Sequence, residues 1–216
     1  IRYWFLFIFV IALALRSKNG IVARARTSFL LIQIIRGFLL AFEIVVAVQA
    51  FVYIGLINTS SIFSCYPLIA TLLSIPILKE VIGWRRFAAI LIGFIGVLLI
   101  LWPGSNIFSI YMVLPIVSAI AFAIYGVLTR YVSQEDTPET SLFWTGIVGA
   151  FSTTLIGVWF WQQPDGNDWG WILLLCIFST LGHFLLIKSY DFAAVSIVQP
   201  STTGIHEPSS KFAFSL

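Results

Sequence analysis

Long apolar stretches follow one another along the chain, separated by short polar gaps. After a run ending at Leu15 come about Leu30 to Ile57, Ser61 to Leu78, Phe87 to Trp102, Ile107 to Thr129, Leu142 to Trp161 and Gly170 to Ile187; an eighth begins at Phe192 and fails after Pro200. A helix needs ~20 residues to cross hydrocarbon, and every stretch but the first approaches or exceeds that length. With no water to satisfy loose backbone groups, such segments must be helical, since a barrel would place a polar residue at every second position. The pattern predicts an all-α, polytopic membrane protein whose main partner is the lipid bilayer.

The polar gaps alternate in charge. Arg16, Lys18, Arg24 and Arg26 fill the first; Lys79, Arg85 and Arg86 follow Leu78; Arg130 and Lys188 mark two more. The gaps at Asn58 to Ser60, Pro103 to Asn106 and Gln162 to Asp168 carry no Lys or Arg. Basic short loops stay cytoplasmic, so the cation-rich gaps are read as inside and the others as outside, in the inner (plasma) membrane. Composition agrees: 60% apolar and 10% charged residues in 216, with mean hydropathy +1.02, leave too little polar surface for a soluble globule. The net charge of +3 sits at helix ends, which excludes a nucleic-acid partner. Trp102, Trp159, Trp161, Trp169 and Trp171 fall at the outer boundary, where aromatic belts form. Cys65 and Cys176 lie in apolar stretches without metal-ligand spacing and are read as packing residues.

Aligning Cys65-Tyr66-Pro67 with Val198-Gln199-Pro200 gives an internal offset of 133 residues, which also pairs Phe51 with Phe184, Ile54 with Ile187 and Ile62 with Val195. An odd number of helices per copy makes the copies inverted, an architecture of transporters. The chain therefore divides at 1–103 and 104–216, and the offset predicts helices before residue 1 and beyond residue 216, leaving two inverted five-helix repeats incomplete at both ends. The tail Ser201 to Leu216 is polar where the first copy has Leu68 to Ile75, and is read as a frameshift or partial gene against a true short tail. His206-Glu207-Pro208-Ser209-Ser210 lacks the second His of a zinc-protease helix.

Leu78-Lys79-Glu80-Val81-Ile82-Gly83-Trp84-Arg85-Arg86, with Gly93-Phe94-Ile95-Gly96-Val97-Leu98-Leu99-Ile100 and Pro103, resembles the link between the fourth and fifth helices of EamA-type drug/metabolite transporters. Arg36-Gly37 and the stretch His183 to Tyr190 resemble the start of that family's third helix and its eighth helix, the latter closest to the branch that includes S-adenosylmethionine carriers. The resemblance implies a ten-helix carrier of which this chain holds the second to eighth helices and part of the ninth.

Within the spans, Glu43 stands out, about fourteen residues from the outer end of its helix and so near mid-bilayer. A carboxylate there costs roughly 2.5 to 3.5 kcal/mol and must face the interior, pair or be protonated. It is a candidate for proton coupling or for a counter-charge to a cationic substrate; the structural alternative is a pair with Arg36, two turns earlier on the same face. Arg36 is expected to snorkel and anchor. Gln49 and Tyr53, one turn apart, could offer a hydrogen-bonding face to a ligand, and His183 could relay protons; packing is the alternative for each. Gly83 suits a turn, Arg85 and Arg86 anchor the next helix at the headgroups, and Gly93 and Gly96 form a small-residue packing face. Pro67, Pro76, Pro115 and Pro200 fall inside spans; breaks at Pro67 and Pro200, matched by the repeat, point to a binding site. The chain is expected to be a secondary carrier of a small metabolite by alternating access, with no cofactor, no metal and no catalysis, a candidate for proton coupling and for a homodimer. The alternatives are a non-transporting fragment or partner subunit and, with less support, a polytopic membrane enzyme.

Overall fold

A computed structural model describes residues 1–16, 20–80, 83–100, 110–161, 163–166 and 168–192. Among them there is no strand, and the helices are α1 (Arg2–Arg16), α2 (Gly20–Ala25), α3 (Leu30–Phe63), α4 (Tyr66–Leu78), α5 (Trp84–Ile100), α6 (Val113–Val132, preceded by a single 3-10 turn), α7 (Pro138–Gly157) and α8 (Asp168–Phe192). Four helical segments, Leu30–Phe63, Ile110–Val132, Pro138–Gly157 and Asp168–Tyr190, are long and apolar enough to cross a membrane. Pro200, Pro103, the tail from Ser201 and the eighth apolar stretch beyond Phe192 lie outside the described residues, as do the side chains of Arg85 and Arg86.

Three of the basic gaps meet at one end of the bundle. Arg24 pairs with Glu139 at 3.7 Å, the Trp144 indole donates to the Ala25 carbonyl at 3.2 Å, and Arg130 donates to the Tyr190 carbonyl at 2.6 Å. These contacts join the link before α3, the link between α6 and α7, and the last turns of α8. Consequently α1 and α7 run in opposite directions, as do α3 and α8.

The first apolar run, too short to span by itself, packs Tyr3, Leu6, Val10 and Ala14 against α7. Their spacing of three or four residues puts them on one face. The receiving surface is made of glycines: a Cβ at Gly149 would lie 2.4 Å from the Tyr3 ring, and one at Gly146 would lie 3.0 Å from Val10. Close approach of this kind is what small residues contribute where lipid supplies no hydrophobic drive between helices. At Gly93, Leu68 of α4 would stand 3.2 Å from an added Cβ, while Gly96 has open space around it.

Some boundaries differ from the sequence pattern. The expected loop at Asn58 to Ser60 is helical, and the chain instead reverses at Gly55, whose φ of 79° and ψ of 167° interrupt α3. Tyr53, before the break, stacks on Tyr111 ahead of α6, whereas Phe63, past it, reaches Phe122 halfway along α6. The chain thus returns through the bundle from residue 56 to Leu78 in two helical pieces, broken at Ser64 and Cys65. Asn58 donates to the Ile54 carbonyl at 2.9 Å, satisfying a group the reversal would leave loose. Pro67 does fall within this returning span, but as a helix start: it occupies the first turn of α4, where a missing N–H costs nothing. Pro115 likewise sits in the first turn of α6, and only Pro76 is interior to a helix among the described residues. α7 begins at Pro138 rather than Leu142, because Thr137 caps it by accepting from the Thr140 N–H. At the end of α4 the left-handed residue is Lys79, with φ of 55°, and Gly83 lies in the link just before α5.

Candidate functional site

Ser118, Phe122, Tyr125 and Thr129 recur along one face of α6, at the three- and four-residue steps that align side chains on a helix. Each of the first three meets a different neighbour. Ser118 donates to Glu43 Oε1 at 3.0 Å; Phe122 lies against Phe63 and Tyr66; the Tyr125 hydroxyl is 2.7 Å from His183 Nε2. α6 therefore carries a polar and aromatic stripe facing α3, α4 and α8. Glu43 lies midway between Leu30 and Gly55, ~20 Å along the helix, so it is at mid-bundle as the sequence suggested.

Arg36 does not snorkel. It is fully buried, with Nη1 donating to Gln33 Oε1 at 2.7 Å and Nη2 donating to the Ser141 carbonyl at 3.2 Å and to Thr145 Oγ1 at 2.9 Å. Its guanidinium lies over the Tyr125 ring, 5.3 Å from the centroid. Nor does it pair with Glu43. Seven residues put the two on one face but ~10 Å apart along the axis, so Arg36 turns to α7 while Glu43 turns to α6. Gln33 and two acceptors on α7 take up the bonds of the two Arg36 Nη atoms instead.

Gln33 links this charge to an acid. Its Nε2 donates to Asp136 Oδ2 at 2.8 Å while its Oε1 accepts from Arg36. Asp136, in the link between α6 and α7, also accepts from the Thr27 hydroxyl and from the Ser28 N–H at 3.2 Å. The result is a buried chain, Asp136–Gln33–Arg36–Thr145, that closes the basic end of the bundle.

Gln49 and Tyr53 are not brought to this site. Both are exposed, and Tyr53 stacks on Tyr111 with centroids 4.3 Å apart. Six and ten residues from Glu43, they point to another side of α3. His183 is buried in the site, and Lys188, exposed one turn beyond Phe184, holds its ammonium over that ring at 6.0 Å. No group of His, Cys, Asp and Glu able to hold a metal occurs among the described residues.

The EamA-like transporter family model matches residues 1–102 and 109–203. The chain belongs to that family. Among curated relatives of this EamA-like chain, a riboflavin transporter of Vibrio cholerae is 32% identical over 136 residues, covering 62% of this chain and 45% of the relative. An S-adenosylmethionine uptake transporter of Rickettsia prowazekii is 27% identical over 191 residues, covering 87% and 60%. A riboflavin transporter of Brucella anthropi is 24% identical over 214 residues, covering 93% and 72%. The chain thus spans about half the length of the first two. No solved structure matches it.

Membership places the chain in a family of transporters, and its four membrane-length helical segments agree with a multi-pass membrane location. Sequence reasoning missed Gln33, Ser118, Tyr125 and Asp136. The signal for Ser118 and Tyr125 was their helical spacing on α6; Asp136, placed in a loop, had no periodicity to mark it.

Proposed function

We propose that the chain forms the core of a secondary carrier that moves a small metabolite across the inner membrane by alternating access between residues 1–103 and 104–216. The observation that carries this reading is where the buried polar bonds run. Thr27, Ser28, Gln33, Arg36 and Glu43 come from the first half, and their partners Asp136, Ser141, Thr145 and Ser118 come from the second. Polar groups inside lipid are costly and are spent where they act. A seam of them between two halves suits surfaces that must part and rejoin, since hydrogen bonds exchange with water more readily than apolar packing does. The opposed directions of α1 with α7 and of α3 with α8 support the inverted-repeat arrangement.

In this state the Asp136–Gln33–Arg36 chain seals the basic end. Opening to the cytoplasm breaks those bonds, and substrate held near Glu43 and Ser118 is released on that side. Glu43 serves as the coupling group: a carboxylate held by a single hydroxyl at mid-bundle can be neutralised by a proton or by a cationic group on the substrate. The named cargoes of the relatives, riboflavin and S-adenosylmethionine, are the first compounds to try. Uptake of each, labelled, into proteoliposomes containing the chain tests the reading. Uptake above empty vesicles supports it, and uptake by Glu43→Gln with unchanged rate and unchanged pH dependence removes the coupling role.

A further inference from the structure

Five rings form a continuous row across the bundle. Phe63 and Tyr66 flank the break in the returning span, with centroids 5.1 Å apart. Phe122 of α6 meets Phe63 at 5.7 Å and Tyr66, edge to face, at 4.9 Å. Tyr125 continues the row, stacked on Phe122 at 5.9 Å, and His183 of α8 ends it, 5.5 Å from Tyr125. Phe63, Tyr66 and Phe122 remain half-buried, so ring surface is left uncovered.

Three hydroxyls beside this row lack partners. Thr59 Oγ1, Thr180 Oγ1 and the Tyr3 hydroxyl make no hydrogen bond, although their residues are only 1%, 6% and 4% exposed. Elsewhere in the bundle helical threonines bond back to the carbonyl one turn earlier: Thr71 to Pro67, Thr129 to Tyr125, Thr145 to Ser141, Thr153 to Gly149 and Thr154 to Ala150. Thr180 does not, despite the same local option, and Thr59, whose earlier carbonyl belongs to the non-helical Gly55, does not either. Their placement is shared. Thr59 is one turn before Phe63 and Thr180 is one turn before His183, so each lies on the face of its helix that carries a ring of the row. Tyr3 belongs to the same buried apolar cluster as Tyr125 of the row. A buried hydroxyl without a partner costs ~1–3 kcal/mol, and a ligand with polar edges removes that cost.

We propose that this row is the substrate subsite for a planar heteroaromatic ring: Phe63, Tyr66 and Phe122 stack on its face, while Thr59, Thr180 and the Tyr3 hydroxyl bond the nitrogens and carbonyls at its edge. The proposal rests on the carrier reading and names the part of the substrate that the site selects. Aromatic stacking is tolerant of ring identity, whereas edge hydroxyls that both donate and accept favour rings bearing both kinds of group.

The test is equilibrium binding to the purified chain in nanodiscs, with riboflavin and adenosine as planar probes and ribitol as a probe with the polyol but no ring. Riboflavin is followed by quenching of its own fluorescence and the others by competition. At least one planar probe binds, ribitol does not compete, and Phe122→Leu weakens binding about tenfold, while Phe122→Tyr retains it. Thr180→Val, which keeps the shape and removes the unpartnered hydroxyl, weakens binding while the thermal midpoint of the free chain is held or raised. The proposal is overturned if neither planar probe binds, if ribitol competes equally, or if Phe122→Leu binds as the parent does. Uptake into proteoliposomes separates the two readings. Uptake that Phe122→Leu leaves unchanged keeps the carrier and removes the subsite; ring-dependent binding without uptake keeps the subsite and removes the carrier.

Discussion

The amide of Gln33 has only one workable orientation, and this makes Asp136→Asn a sharp perturbation. In the parent, Gln33 presents its oxygen to Arg36 at 2.7 Å and its nitrogen to Asp136 at 2.8 Å. An asparagine at position 136 that keeps its oxygen on Thr27 and Gln33 turns its NH2 against the Ser28 N–H, and one that keeps its oxygen on the Ser28 N–H turns its NH2 towards the NH2 of Gln33. Flipping Gln33 relieves that clash only by setting its NH2 against the Arg36 guanidinium, donor against donor. Either way one buried donor is left unsatisfied, at ~1–3 kcal/mol, and a charge-assisted bond worth ~1.5–3 kcal/mol is lost. Allowing for overlap between the two, the expected destabilisation is about 2–4 kcal/mol. Gln33→Glu alone is also destabilising, since it sets a carboxylate against Asp136. Combined, the two changes match again: the new carboxylate at position 33 accepts from Arg36 and from the NH2 of the asparagine at position 136, and the total charge is that of the parent. The assay is a double-mutant cycle on thermal and denaturant unfolding of the purified chain in detergent, followed by tryptophan emission. The double variant should recover to within about 1 kcal/mol of the parent. Additive losses, or a stable Asp136→Asn single variant, would refute the linear chain from Asp136 through Gln33 to Arg36.

Other expectations follow from single contacts. Gly55→Ala meets no atom within 4 Å, so its cost is that of the backbone alone, about 1–3 kcal/mol for a φ and ψ region that glycine nearly monopolises; Gly157→Ala, also in open space but at ordinary angles, should be neutral in the same unfolding assay. Gly149→Ala puts a methyl 2.4 Å from the Tyr3 ring and should cost about 1–3 kcal/mol, with Tyr3→Leu in the same chain recovering part of it. Arg36→Lys keeps the charge but not the fork that reaches Gln33, Ser141 and Thr145 together; a loss of about 1–3 kcal/mol in the unfolding assay is expected, and a neutral result would mean that the guanidinium geometry is immaterial.

What the sequence made legible and what it hid differ by the range of the interaction. The membrane helices, the basic end and the mid-bundle place of Glu43 follow from hydropathy and spacing, which are local properties and which lipid enforces strictly. The start of α7 was local too, in Thr137-Pro138, but an apolar count cannot register a polar cap, and so the predicted start fell at Leu142. The reversal at Gly55 was hidden for a related reason. Polar residues at 58 to 60 suggested a loop, yet Asn58 directs its bonding inwards, to the Ile54 carbonyl, and so sits in helix without needing water. Arg36 went astray through a long-range contact. Snorkelling is the default for an arginine two turns from an interface only while nothing nearer accepts its bonds, and the acceptors on α7 lie more than a hundred residues away in sequence. The site has the same character. Glu43 and His183 were conspicuous alone, but what gives each a partner is α6, whose Ser118 and Tyr125 look like ordinary members of an apolar span until the helix is packed between α3 and α8. A span's hydropathy therefore identifies that it crosses, while its few small polar residues, read at helical spacing against the charged residues of other spans, identify which face turns inward; on α6 that face is the one on which the polar pair and the aromatic row converge.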